Sequence, residues 1–209
     1  MTRPYCCNDA AFLSRVEGFM AIPELIRLLA RGEPIDLEEL TGAHGQSGND
    51  LERVVRAQRG TEWDDDGRLV GFGLTTRQTG YRFLVGGRTL YTWCASDTLF
   101  FTVILGAETV AESTCPTTGA PIRLEITPDR VTSVTPREAV VSQRHGDELM
   151  GNLRSDVCDH GHFFASAAAA AGWVAEHPDG QVLRIADAFA DCLASCEELG
   201  WRAPGVTGR

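Results

Sequence analysis

Residues 81–105, YRFLVGGRTLYTWCASDTLFFTVIL, decide how the chain folds. Two runs rich in β-branched and aromatic residues, Tyr81 to Val85 and Arg88 to Thr92, flank Gly86-Gly87. That is the signature of a hairpin closed by a two-residue loop. The second strand delivers Cys94 at its end. Asp97 to Leu105 then reads as a mostly apolar helix, buried on all sides and closed by Gly106. A hairpin feeding a buried helix predicts an α+β core.

Working outward from this stretch, short strands are expected at Thr109 to Thr114, Ile122 to Thr127, Val131 to Val134 and Val140 to Gln143. Pro, Gly and Asp turns separate them. Beyond these, Cys158 to Phe164 reads as a strand, Ser166 caps a helix to about His177, and Leu183 to Leu199 forms a final helix. On the N-terminal side, residues 9 to 60 read as helices. Ile22, Leu25, Ile26, Leu28 and Leu29 lie at helical spacing before Gly32, Ile35 to Leu40 forms a second helix, and Asn49 caps a third running to Gly60. Asp66-Gly67, between Glu62-Trp63 and Leu69-Val70, then signals a hairpin. Helix, helix, helix, hairpin is the order of a winged helix. The expected architecture is therefore a winged-helix-like domain over residues 1–77 with a structural role, and a mixed-strand catalytic core with C-terminal helices over residues 78–209.

The 209 residues, 43% of them apolar, suffice for a substantial core. No stretch approaches the roughly 18 apolar residues of a membrane span, and the N-terminus lacks the apolar run of a signal peptide. A soluble, cytoplasmic protein is expected, with no membrane partner. The formal net charge of -10 disfavours nucleic-acid binding, since a phosphate backbone would be repelled. Arg53, Arg56 and Arg59 are spaced to follow a phosphate backbone, but Asp64-Asp65-Asp66 lies where a DNA-binding wing would carry basic groups. Seven cysteines is an odd number, and without a secretory signal they read as reduced thiols.

Two cysteine segments carry the chemistry: Tyr91-Thr-Trp-Cys94-Ala-Ser-Asp97 and Cys158-Asp-His160-Gly-His162-Phe-Phe-Ala165. Cys94 and Asp97 stand three apart, so on a helical turn a soft nucleophile and a proton donor share one face. With Thr61-Glu-Trp-Asp, Gly71-Phe-Gly-Leu74-Thr, Cys115-Pro-Thr-Thr-Gly119-Ala-Pro121 and the Trp173 segment in the same order, the chain resembles the organomercurial (alkylmercury) lyases over nearly its whole length. The resemblance implies that Cys94 and Cys158 grip mercury while Asp97 supplies or relays a proton, making these three the catalytic residues and the two cysteines the mercury ligands. It further implies protonolysis of a carbon–mercury bond to hydrocarbon and Hg(II), with no cofactor. External low-molecular-weight thiols would complete turnover, with Hg(II) passing to a mercuric reductase. The logic is sound on its own terms, because Hg(II) is very soft and thiolate is the softest protein ligand.

Plainer readings stand beside this one. Free cysteines often serve as small buried hydrophobes, and Asp97 could simply cap a helix. Cys158, His160 and His162 alternate on the expected strand and would face one side, a geometry that could hold zinc given a fourth ligand; otherwise the histidines satisfy core hydrogen bonds. Cys115 reads as part of a structural turn, and Cys192 and Cys196 as packing. The terminal Cys6-Cys7 pair is expected to be exposed. Asp159 follows Cys158 where some members of the resembled family carry a second cysteine, and its charge should raise the neighbouring thiol's pKa. The rival functions are a winged-helix regulator sensing a soft metal, and a lyase-like binder of soft metals or thiols that cuts no carbon–mercury bond. Geometry offers the sharpest expectation. Two sulfurs on one mercury require the thiols within roughly 4–5 Å, with the Asp97 carboxylate roughly 3–5 Å from one of them and Trp93, Phe163 and Phe164 closing part of the pocket.

Overall fold

The computed structural model describes residues 21–36, 38–39, 52–53, 55–144 and 152–203. The chain is a mixed α+β structure. The first helix among the described residues, α1 (Ile22–Leu29), buries Ile22, Leu25, Ile26, Leu28 and Leu29 as their spacing requires, with Pro23 in its first turn. The hairpin β1 (Glu62–Trp63) and β2 (Leu69–Phe72) follows, then β3 (Leu74–Thr75), β4 (Tyr81–Val85), β5 (Arg88–Thr92) and α2 (Ala95–Leu105). Next come β6 (Thr109–Thr114), β7 (Pro121–Thr127), β8 (Arg130–Thr135), β9 (Val140–Arg144), the single turn α3 (Leu153–Asp156), and a 3-10 turn at Cys158–His160. The chain continues through β10 (Phe163–Phe164), α4 (Ala171–Glu176), β11 (Gly180–Arg184) and α5 (Ile185–Glu198).

Eight strands form one antiparallel sheet in the order β1-β2-β3-β5-β4-β6-β7-β8, and β10-β9-β11 form a second. The hairpin of the N-terminal region thus continues the sheet that carries β5 and the Cys94 segment. Strand β7 shows why these residues make a one-sided strand: Ile122, Leu124 and Ile126 are buried while the residues between them are exposed. Helix α2 is apolar all round and lies between the sheet and helices α1 and α5, with nine of its eleven residues buried. Its buried threonines bond internally. Thr98 donates to the Ala95 carbonyl at 2.7 Å, Thr102 donates to the Thr98 carbonyl at 2.7 Å, and the Thr102 and Thr109 hydroxyls lie 2.6 Å apart.

Several expectations need correction. Ile35 does not open a helix, because its N–H and C=O both bond to Leu69, at 2.8 and 2.9 Å, as an isolated bridge. Residues 38–39 are helical, and the helix expected from Asn49 is seen at 52–53 and 55–57, ending before Gly60; residues 37, 40, 49–51 and 54 lie outside the described residues, as do Cys6 and Cys7. The segment from Cys158 to Phe164 is not one strand; a 3-10 turn takes its first three residues and only Phe163–Phe164 pair with β9. The final helix starts at Ile185 rather than Leu183, since Leu183 pairs with Val141 in the register of β11 and β9. Strand β11 has no run of buried apolar residues, so its membership of a sheet is decided by the partner strand. Ser166 does accept from the Ala169 N–H at 3.2 Å, but the regular helix starts only at Ala171.

Gly73 links β2 to β3 where the sheet meets α2. It sits at φ 70°, its carbonyl accepts the Trp93 N–H at 2.8 Å, and a Cβ there would lie 2.6 Å from Phe101 Cζ. Gly73→Ala should therefore lower the unfolding free energy by about 2–4 kcal/mol, from left-handed backbone strain and overpacking together. Denaturant titration checks this, and an unchanged midpoint would mean that the link relaxes freely.

Candidate functional site

Cys94 lies two residues past β5, with extended backbone (φ -143°, ψ 172°), and serves as the N-cap of α2. Asp97 is the third residue of that helix. The pair forms a reciprocal capping box, in which the Cys94 sulfur accepts the Asp97 backbone N–H and Asp97 Oδ2 accepts the Cys94 N–H at 3.3 Å. The two side chains are therefore fixed by the start of the helix itself. Capping by Asp97 and proximity to Cys94 prove to be one arrangement.

Cys158 arrives from the other direction, after α3, whose N-cap Asn152 accepts the Arg154 and Ser155 N–H groups at 3.2 and 3.3 Å. The 3-10 turn places its sulfur 3.9 Å from Asp97 Oδ2. Two ties hold this turn. The Ala95 N–H donates to the Gly161 carbonyl at 3.0 Å, and Ser142 on β9 donates to the His160 carbonyl and accepts the His162 N–H, each at 2.9 Å. The contact at Gly161 is close enough that a Cβ there would lie 3.1 Å from Cys94 Cβ and 3.4 Å from its sulfur.

Cys94 Sγ, Cys158 Sγ and a carboxylate oxygen of Asp97 all lie within 4.8 Å of one another. Two sulfurs so placed can be spanned by one soft ion, about twice a metal–sulfur bond of roughly 2.3 Å. Cys94 is 1% and Cys158 8% exposed. Burial, then the neighbouring Cys158 and Asp97, push the Cys94 thiol well above its usual range. Burial likewise raises the Asp97 carboxyl from its ordinary 3.8 to about 7, against the lowering effect of its hydrogen bonds. Asp97 can thus hold and release a proton near neutral pH, while Cys94 keeps its own as a thiol. Trp93, Phe163 and Phe164 are all buried in the segments flanking the thiols, and Tyr81 meets Phe163 edge-on.

Among the described residues, Cys94, Asp97 and Cys158 are the one group that could hold a metal ion. The zinc arrangement does not form, because the 3-10 turn breaks the alternation it requires. His162 Nδ1 lies 2.6 Å from the Tyr81 hydroxyl, and His160 lies between His177 and Arg144, at 3.2 and 3.3 Å. Asp159 is exposed. Cys115 sits apart in a tight turn where Gly119 N–H donates to its carbonyl at 2.9 Å. Burial raises its thiol, but hydrogen bonds from Thr118 and from the Ala165, Thr118 and Thr117 backbone outweigh this and lower it overall. Cys192 and Cys196 are fully buried on α5, where burial pushes Cys196 up to about 12.

Sequence reasoning assigned no role to Glu62, Arg154, Gly161 or Ser142, all of which hold the segments around the thiols. Glu62 and Gly161 left a trace, within the Thr61-Glu-Trp-Asp and Cys158-Asp-His160-Gly-His162 stretches. Arg56, one of the three spaced arginines, pairs with Glu52 at 2.8 Å and lies over the Trp63 ring. Among the described residues, no helix is long and apolar enough to cross a membrane.

Comparison with known proteins gives one consistent result. A family model described as alkylmercury lyase matches residues 74–194, and one described as the helix-turn-helix domain of alkylmercury lyase matches residues 16–73. The chain is 43% identical to an alkylmercury lyase of Streptomyces lividans and 42% identical to one of Staphylococcus epidermidis, in each case over 79% of this chain and 76% of the relative. It is 41% identical to one of Pseudomonas putida, over 79% of this chain and 77% of that protein. The fold matches the crystal structure of the mercury-bound form of MerB2 with a TM-score of 0.76 and 24% identity, over 91% of this chain and 96% of the other. With a matching model over more than half its length and relatives above 40% identity, the chain belongs to the alkylmercury lyase family.

Proposed function

We propose that the chain cleaves the carbon–mercury bond of organomercurials by protonolysis, with Cys94 and Cys158 as mercury ligands and Asp97 as proton relay. The observation that carries this reading is the convergence of two buried thiols and a carboxyl poised near neutral pH, in a chain of this family. The stoichiometry is R–Hg–X plus two thiols giving R–H, HX and Hg(II) held by both sulfurs. One thiol gives its proton to X as its sulfur bonds mercury. The second thiol's proton passes to the carboxylate of Asp97, and from there to carbon as the carbon–mercury bond breaks. Donation from two sulfurs loads negative charge onto that carbon, and a proton held 3.9 Å from Cys158 need move only a short way. Burial strengthens each charge movement by excluding water.

Turnover then needs external low-molecular-weight thiols to remove Hg(II), with transfer to a mercuric reductase as the onward route. No cofactor enters the scheme. Residues 1–77 form a winged-helix-like structural domain and residues 78–209 the catalytic core, a division supported by the boundary between the two family models. The net charge of -10 supports an enzyme rather than a DNA-binding regulator, and we assign it to the cytoplasm.

The direct test is incubation with phenylmercury and excess small thiol, with benzene as the expected product; its absence sinks the activity. Cys94→Ser and Cys158→Ser should stay folded and lose turnover, because a hydroxyl is a hard and weak mercury ligand. Full activity in either variant removes that residue from the mechanism. Asp97→Asn should still bind the organomercurial but release hydrocarbon about 10²–10⁴-fold more slowly in a single turnover. The same residue sets a pH dependence of stability. Because folding raises its pKa, the protonated form is favoured in the native state, so this contribution is complete below 3.8 and lost as pH rises to about 7. Asp97→Asn should lack that loss, and parallel stability–pH curves for the two proteins would contradict the buried, proton-holding carboxyl.

A further inference from the structure

Glu62 is an acidic residue with 6% exposure, far in sequence from both thiols, and its carboxylate touches the neighbourhood of each. Oε1 accepts the Trp93 indole N–H at 3.0 Å and pairs with the Arg154 guanidinium, while Oε2 accepts the Thr75 hydroxyl at 2.5 Å. Arg154 in turn lies over the Trp93 ring, 5.2 Å from its centroid. Trp93 immediately precedes Cys94, and Arg154 precedes Cys158 by four residues. Carboxylate, guanidinium and indole therefore close a triangle between two segments that are 64 positions apart at their cysteines.

The surroundings are shaped to admit this triangle. A Cβ on Gly71 would lie 2.7 Å from Glu62 Oε2, so the absence of a side chain leaves room for the carboxylate. A Cβ on Gly60 would lie 2.8 Å from Asn152 Oδ1 and 3.0 Å from Arg154 Cβ, so the backbone just before β1 rests directly on the first turn of α3. That turn needs external support. Helix α3 has only four residues, none of them buried, and one turn of helix is not stable by itself.

We propose that Glu62 is a positioning residue, which through Arg154 and Trp93 sets the separation and orientation of Cys158 relative to Cys94. The inference rests on the proposed function only in taking both sulfurs to hold one mercury. Removing the carboxylate charge leaves Arg154 without its partner and lets the α3 turn shift. A displacement of about 1 Å at reacting groups can cost on the order of 10²-fold in rate.

The test uses the full chain with Glu62→Gln, which keeps an acceptor for Trp93, and with Arg154→Lys, which keeps the buried carboxylate paired but loses the planar fork lying on the indole. Each protein receives one equivalent of Hg(II), and X-ray absorption reports how many sulfurs bind the metal. Competition with a small dithiol reports affinity, and phenylmercury turnover is resolved into kcat and KM. Wild type should hold Hg(II) through two sulfurs. Both variants should hold it at least about tenfold more weakly, with a lower sulfur count, and should lose kcat by on the order of 10²-fold with little change in KM. A merely structural role would lower the melting temperature but leave the sulfur count unchanged at temperatures where the variants are folded. If either folded variant keeps two-sulfur binding at wild-type affinity, the proposal is overturned. If Glu62→Gln does not fold, Arg154→Lys alone decides by the same criterion. Wild type that binds Hg(II) through two sulfurs yet releases no benzene would refute the proposed activity, leaving the sulfur count to judge Glu62 separately.

Discussion

A single backbone hydrogen bond, from the Ala95 N–H to the Gly161 carbonyl, joins the first turn of α2 to the turn that carries Cys158. The rest of the site depends on it. Cys94 and Asp97 are held by their own capping box, but nothing local to either of them can position a thiol from the far end of the chain. The bond is possible because residue 161 is glycine. Any side chain would press on Cys94, and the two segments could not approach so closely.

Helix α2 makes that junction rigid. Its apolar circumference is enclosed by the sheet and by α1 and α5, and close-packed interiors resist displacement. A helix start usually lies at the surface, where water satisfies its first N–H groups. Here two of the capping interactions come from the side chains that face the candidate chemistry. Burial therefore serves two ends, fixing the groups in place and shifting their proton affinities. Cys94 is held as a thiol and Asp97 is poised near neutrality, both chiefly because a charge is poorly solvated there.

The N-terminal hairpin belongs to this picture through the sheet rather than through a separate interface. Strands β1, β2 and β3 extend the sheet beyond β5, and this continuity lets Glu62 reach Trp93. A buried carboxylate is costly unless paired, and here an arginine and two neutral donors offset the cost. The acidic tip of the hairpin is self-contained. Arg68 pairs with Asp64 and Asp66, which leaves little to attract a nucleic acid.

The sequence by itself determined the elements with strong local signals: the Gly86-Gly87 hairpin, the buried helix after Cys94 with its Gly106 stop, α1, and the strands from β6 to β9. It also singled out Cys94, Asp97 and Cys158, because Trp-Cys-x-x-Asp and Cys-x-His-x-His are unusual contexts that occur together in one resembled family. Tertiary structure alone decided that Cys158 sits on a 3-10 turn, that Ile35 joins a bridge and that residues 180–184 form a strand. In each case long-range backbone pairing overrides a weak local preference. It alone also brought out Glu62, Arg154, Gly161 and Ser142. Their roles arise from partners distant in the chain, and no spacing or periodicity encodes such partners.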